Sequence, residues 1–415
     1  MNSAKYLKYG VAVCGISALA ASAACTPSGS DSNEMVWAIG GAEATEGGSY
    51  QKIVELWNEK NPDTPIRIET LPEEADLQRE QHALELQAGN STFDVLGVDV
   101  VWTGEYAQNG WIESLEDVRG DIEAASLPGP FESATWEGEL WAAPYTTNGG
   151  FLYYRTDLVE EPPTTWEELC TVAEDVGGAE DIGGFIGQGA KYEGFVVNWL
   201  EYYWGAGGEL YNEDQSEVVL DDAAATQATE FMTDSLDGCY AAGFNTAKEE
   251  EASNIFQEGD AVFMRNWPYV YDEIEGDPEH PLHGKVGIAP LPTFTGEGST
   301  SGTGGFHNAV SAFSEKKDES KEFVTWASTD PEAQKLLAES RLPATMASVY
   351  DDFADDPVMS LLSTVLQDAK ARPAVPSWNQ VSEDMQGALH PAYNGDGDVG
   401  GAVGEVRTSL EKAIE

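Results

Sequence analysis

The most constraining feature of the sequence is the alternation at its mature start. An apolar run, Met35 to Ile39, is broken by Gly40-Gly41 and followed by a helical pattern with Ile53, Val54 and Trp57 on one face. That helix ends near Asn61-Pro62. "PIRIETL" then alternates Ile66 and Ile68 as a strand does, residues 75 to 88 read as a second helix, and "FDVLGVDV" reads as a buried strand. Strand, helix, strand, helix, strand specifies an α/β domain with a largely parallel sheet. The roughly 390 residues after the first 25 suffice for two such domains.

The same reading continues downstream. In "PPTTWEELCTVAEDV", Thr165 stands three residues before Glu168, the spacing of a capping box. "EGFVVNWLEYYWGAGG" reads as a helix stopped by Gly205, Gly207 and Gly208, and "KVGIAPLP" as a short strand. Asp330-Pro331 opens a helix as N-cap and first helical residue, and "VGEVRTSLEKAI" closes the chain as an amphipathic helix. Residues 292–305 (PTFTGEGSTSGTGG) and 394–401 (NGDGDVGG) read as linkers. The second matches G-x-G-x-x-G spacing, but no strand precedes it, and Asp396 and Asp398 would repel a pyrophosphate.

Lys5 and Lys8 precede an uncharged run, residues 9–24, that is too short for a comfortable membrane span and ends in small residues. Residues 1–24 therefore read as a signal peptide. Cys25 after Ser22-Ala23-Ala24 resembles a lipobox with Ser22 in place of the usual Leu, which predicts acylation of Cys25 and a flexible tether over 25–34. Plain cleavage after Ala21-Ser22-Ala23 is the alternative. Both readings predict export; the first adds an anchor at the outer face of the cell membrane. Cys170 and Cys239 remain, and two thiols in an oxidising compartment are expected to pair, with buried free thiols as the alternative.

With 74 acidic and 21 basic residues, the chain carries a formal charge of -53, which excludes nucleic acid and anionic lipid head groups as partners. No H-e-x-x-H, nucleophile elbow or P-loop occurs, so no metal or other cofactor and no chemical step are expected. A glycosidase needs only two placed carboxylates, and that reading stays open with Asp99 and Glu46 as the pair.

In "VFMRNWPYVYD" (262–272), Pro268 splits Trp267 from Tyr269 and Tyr271. Neither a central strand nor a helix interior tolerates that proline, so the aromatics are expected at a strand end or on a turn. "FQEGDAVFMRNWPYVYD" resembles a segment of the sugar-binding proteins of ABC importers, in the trehalose/maltose-binding branch of the maltose-binding-protein-like group. "IGGAEATEGG", "FDVLGVDVVWTGEYAQNGWIESLED", "ELWAAPYTTNGGFLYYRTDL", "GFIGQGAKYEGFVVNWLEYYWGAGG", "KVGIAPLP" and "ARPAVPSWNQVSE" resemble the same family in the same order.

The resemblance implies an α/β fold of two lobes, each a mainly parallel sheet flanked by helices. Three crossings are expected, near 144–148, 302–306 and 342–350. One lobe would comprise 35–145 and 304–345, the other 146–303 and 346–415, with a hinge closing on sugar between them. It also implies a monomer that serves an ABC permease and performs no chemistry. The implied sugar is an α-linked glucose disaccharide, trehalose first, with maltose and other glucosides open.

Sugars present C–H faces to aromatic rings and hydroxyls to carboxylates and guanidinium groups. On the family's pattern Asp99 and Glu46 accept from hydroxyls, with Glu43 competing for the second role because the loop is one residue longer. Arg79 and Arg372 donate, Asn148 stands where some relatives have an acid, and Trp267 and Tyr269 stack. Gly305 offers a backbone N–H, and Phe306 replaces a Trp. Each has a plainer role open to it: core packing for the aromatics, a cap for Asp99, a solvated loop for Glu46, surface or structural ion pairs for the arginines.

Overall fold

The computed structural model describes residues 33–414 except Glu73, Glu213, Asp214, Ser299, Arg341 and Ala374. The expected signal peptide, Cys25 and nearly all of the expected tether lie outside the described residues.

Among the described residues, eleven strands run in chain order: β1 Met35–Gly40, β2 Ile66–Leu71, β3 Val95–Asp99, β4 Thr135–Trp136, β5 Glu139–Leu140, β6 Ala143–Gly149, β7 Phe151–Arg155, β8 Gly183–Ile186, β9 Ala261–Asn266, β10 Val286–Ala289 and β11 Thr303–Val310. They form a five-stranded sheet in the order β2-β1-β3-β11-β6, a four-stranded sheet in the order β10-β7-β9-β8, and the small β4-β5 hairpin. Helices flank both sheets, and the architecture is a two-lobed α/β fold.

The opening alternation forms as its pattern dictates. Met35, Trp37, Ala38 and Ile39 are fully buried, and the helix Ser49–Lys60 packs Ile53, Val54 and Trp57 inward. β1 pairs in parallel with both β2 and β3. Parallel pairing goes no further in this sheet, which corrects the expectation of mainly parallel lobes. β11 runs antiparallel to β3 and to β6, and in the second sheet β7 is antiparallel to both β9 and β10, leaving only β8–β9 parallel among its pairs. The physical reason lies in the connections. Parallel neighbours need a crossover within one layer, whereas β6 leaves the first sheet for the second and β11 enters it from the second.

The chain leaves the first sheet through Gly149-Gly150, between β6 and β7, and returns at Thr303. Later, the helix Pro357–Asp368 packs against both β6 and β10, and helices Trp378–Tyr393 and Val399–Ala413 pack with Glu193–Gly205 and Asp222–Ser235. Cys170 and Cys239 are joined by a disulfide across a sequence separation of 69.

Two expected linkers are partly structured. Thr303–Gly305 already belong to β11, and Val399 to Gly401 already belong to the last helix, where the Asp398 side chain accepts from the Gly401 N–H at 2.7 Å. Glycine content hid both.

Candidate functional site

The site is built where β6, β11 and the end of β3 lie side by side. β3 ends on Asp99, opposite Phe306 of β11. On the other flank, Gly304 faces Asn148 and Gly305 faces Thr147. Gly305 is required there: its φ is +117°, and a β-carbon would stand 2.2 Å from the Thr146 carbonyl oxygen. The register shifts immediately after, between Phe306 and His307, and the Phe306 N–H reaches Thr146 Oγ1 at 3.2 Å. This bulge leaves Phe306 half-buried while His307 is fully buried.

From the second sheet, β9 ends at Asn266, whose Oδ1 accepts from the Trp267 N–H at 2.8 Å. Pro268 then caps a short helix, Tyr269–Glu275. Trp267 is thus at a strand end, as the proline predicts, whereas Tyr269 and Tyr271 lie in a helix that the proline starts rather than breaks. A β-carbon on Gly304 would meet Trp267 Cη2 at 3.4 Å and Asn148 Cβ at 3.5 Å, so the indole edge seats on the glycine of the first sheet. Tyr269 donates its hydroxyl to Glu250 at 3.0 Å, and burial raises its pKa above the ordinary phenol value.

Arg372 closes the group from the C-terminal part of the chain. It donates to Asp99 Oδ1 at 3.1 Å and to Glu193 Oε1 at 2.7 Å. Its Nε is buried with no protein partner among the described residues, and the same holds for Asn148 Oδ1. Asp99 also accepts from the Val101 N–H at 3.2 Å. Burial raises the Asp99 pKa, and Arg372 opposes that shift. Asp76 opens to solvent but is crowded enough that desolvation raises its carboxyl, with Glu193 and then Asp99 adding repulsion.

Asp99, Asn148, Trp267, Gly305, Phe306 and Arg372 therefore converge, and Tyr269 stands beside them. Arg79 does not offer a free fork: its Nε and Nη2 bind Glu105 at 2.8 and 2.6 Å, and Asn379 holds the same Glu105 at 2.7 Å. Glu46 is exposed on its loop. Glu43 is the more enclosed acid, and its charge is among the causes that raise the pKa values of Tyr50 and of Glu273, which belongs to the helix after Trp267.

Sequence reasoning missed Glu193 and Asp76, which carry no local signal, and the buried pair Arg265–Glu201 behind Trp267. Three contacts join segments remote in sequence: Arg372–Asp99, Asn379–Glu105, and Lys248–Glu74 at 3.0 Å. A hollow of about 720 Å³ along the helix Asp222–Ser235 contains none of these residues; its exposed acidic and apolar lining lacks the converging polar groups that make a site.

The profile of the bacterial extracellular solute-binding protein family matches residues 41–334. A probable ABC transporter-binding protein of Deinococcus radiodurans is 31% identical, covering 82% of this chain and 84% of its own. Maltose-bound MalE3 of T. maritima is 31% identical with a TM-score of 0.82, covering 91% of this chain and 99% of its own. The GacH receptor of Streptomyces glaucescens shares the fold at 22% identity and a TM-score of 0.81, covering 92% of this chain and 98% of its own. On the family profile and these relatives, the chain belongs to the bacterial extracellular solute-binding proteins.

Proposed function

We propose that this protein is an exported, lipid-anchored receptor that captures an α-linked glucose disaccharide and delivers it to an ABC permease. The lobes would be 35–145 with 304–345 and 146–303 with 346–415, the anchor Cys25, and the protein a monomer. The observation that carries the reading is that Trp267 meets Gly304 two residues before Phe306, the strand partner of Asp99, and that Asp99 holds a buried Arg372 whose Nε is orphaned. A buried polar atom without a partner is rare in a folded protein. A sugar hydroxyl bound beside Asp99 would satisfy it.

In this arrangement Trp267 and Phe306 take the apolar faces of the sugar, Asp99 accepts from hydroxyls, and Arg372 and the Gly305 backbone donate. Tyr269 stacks at the side. Asn148 presents a neutral acceptor, and Glu43 rather than Glu46 faces the cleft. Arg79, held by Glu105, shapes the wall without touching sugar. The match to solute-binding proteins sets the hydrolase reading, with Asp99 and Glu46 as its carboxylates, second.

The sequence resemblance puts trehalose first, and the maltose in the T. maritima relative makes maltose the second sugar to test. Titration calorimetry of the exported protein with trehalose, maltose and glucose tests the proposal. Micromolar or tighter binding of one disaccharide, recovered intact, is expected. Absence of binding to all three would overturn the reading, and cleaved sugar would replace it with the hydrolase.

A further inference from the structure

Behind Trp267 the protein buries an arginine that sugar contact does not call for. Arg265, in β9, is 1% exposed, and its guanidinium carbon lies 4.0 Å from the centre of the Trp267 ring. Its Nε and Nη2 form a fork with the buried Glu201 at 2.9 and 2.5 Å, and Nη1 donates to Gln188 at 3.1 Å. Removing two charges from water is costly, and replacing such a buried pair by hydrophobic residues of similar volume is often neutral or stabilising. The pair is therefore explained better by what it holds than by stability.

What it holds is the junction between the two sheets. Glu201 Oε1 also accepts the N–H of Gly302, the residue before β11, at 3.0 Å. A β-carbon on Gly150, at the outward passage between β6 and β7, would stand 2.6 Å from Arg265 Nη2 and 2.8 Å from its Cζ and Nε. The guanidinium thus occupies space that glycine leaves open at one passage, while its partner acid grips the backbone at the other. The Trp267 indole is pinned between this guanidinium on its face and Gly304 at its edge.

We propose that Glu201 and Arg265 are positioning residues for sugar capture, fixing the attitude of the Trp267 ring and tying it to both strand passages between the lobes. This rests on the sugar-binding reading above. Neither residue touches sugar; both act through Trp267.

A double-mutant cycle separates that role from general support of the fold. Glu201→Gln/Arg265→Met removes both charges together, so neither is left buried and alone. Arg265→Lys keeps the charge but loses the planar fork and the stacked plane, and it serves if the first variant does not fold. Each is made in the wild-type protein and in Trp267→Ala, and maltose and trehalose are titrated by calorimetry. Loss of roughly tenfold in affinity in the wild-type background, against less than about threefold in the Trp267→Ala background, is expected. Equal losses in both backgrounds, or none in either, overturn the proposal while the sugar reading stands. Failure of the wild-type protein to bind either sugar overturns the sugar reading, and this proposal with it.

Discussion

Trp267 concentrates the residue-scale chemistry. Its carbonyl accepts from the Tyr153 hydroxyl at 2.7 Å and its N–H is held by Asn266, so the backbone at this point is fixed independently of the indole. Trp267→Ala should therefore leave the fold intact and weaken sugar binding by about 2 kcal/mol or more, as a lost anchor in a closed pocket does. Calorimetry beside a thermal melt checks both halves; unchanged affinity removes Trp267 from the site. At this scale the sequence was informative where a residue's type implies a sugar contact and silent where its partner is remote. Arg372 and Asp99 are separated by 273 positions, and Arg265 and Glu201 by 64, and no spacing rule joins them. Arg79 shows the opposite case. Its type suits a sugar, and only the position of Glu105 shows that its fork is already engaged.

At the scale of elements, local chemistry predicted most starts and stops. Asp330 accepts from the N–H groups of Glu332 and Ala333 at 2.9 and 3.0 Å, with Pro331 in the first turn. Asp330→Ala should cost about 1 kcal/mol in chemical unfolding, the usual value of an N-cap, and leave sugar affinity unchanged. An affinity loss would show that the helix Pro331–Glu339 bears on the cleft. Thr165 caps its helix as read, accepting from the Glu168 N–H at 3.1 Å, although Glu168 answers to Thr164 instead of Thr165. Elements were missed where glycine is dense. Thr303–Gly305 look like linker in sequence because Gly304 and Gly305 have little β propensity, yet tight packing against Trp267 and Thr146 demands them. Strand direction was missed for a different reason: a strand's composition does not say from which side its chain arrives.

Over the whole molecule, burial sets the response to acid. His82 is enclosed by Phe93, Trp102 and Tyr106, and His307 is fully buried against Ser133. Desolvation lowers His82 to about 4 and His307 to about 3. Both stay neutral in the native state while the unfolded chain takes up protons below about 6.5. Their contribution is thus complete above that pH and is lost as pH falls through it toward the native values. Asp76, Asp99, Glu201 and Glu273 are raised and act in the opposite sense, their contribution being lost as pH rises through their native values. Comparing urea unfolding at pH 7 and pH 5, the His82→Gln/His307→Gln protein should show a smaller acid-induced loss than wild type. The difference should be roughly 2 kcal/mol per histidine. An equal loss in both proteins would place the acid sensitivity elsewhere.

The sequence alone determined what depends on near neighbours: the alternation of apolar and polar positions, the caps and the proline that ends β9. Pattern and composition act over a few residues, and so they can be read over a few residues. The tertiary structure decided the direction of β11 and β6, the engagement of Arg79, the burial of Arg265 under Trp267, the pairing of Asp99 with Arg372 and the seating of Trp267 on Gly304. Those follow from a chain that leaves one sheet at Gly149, builds another, and returns at Thr303. The site stands at these passages, where segments far apart in sequence come within hydrogen-bonding distance.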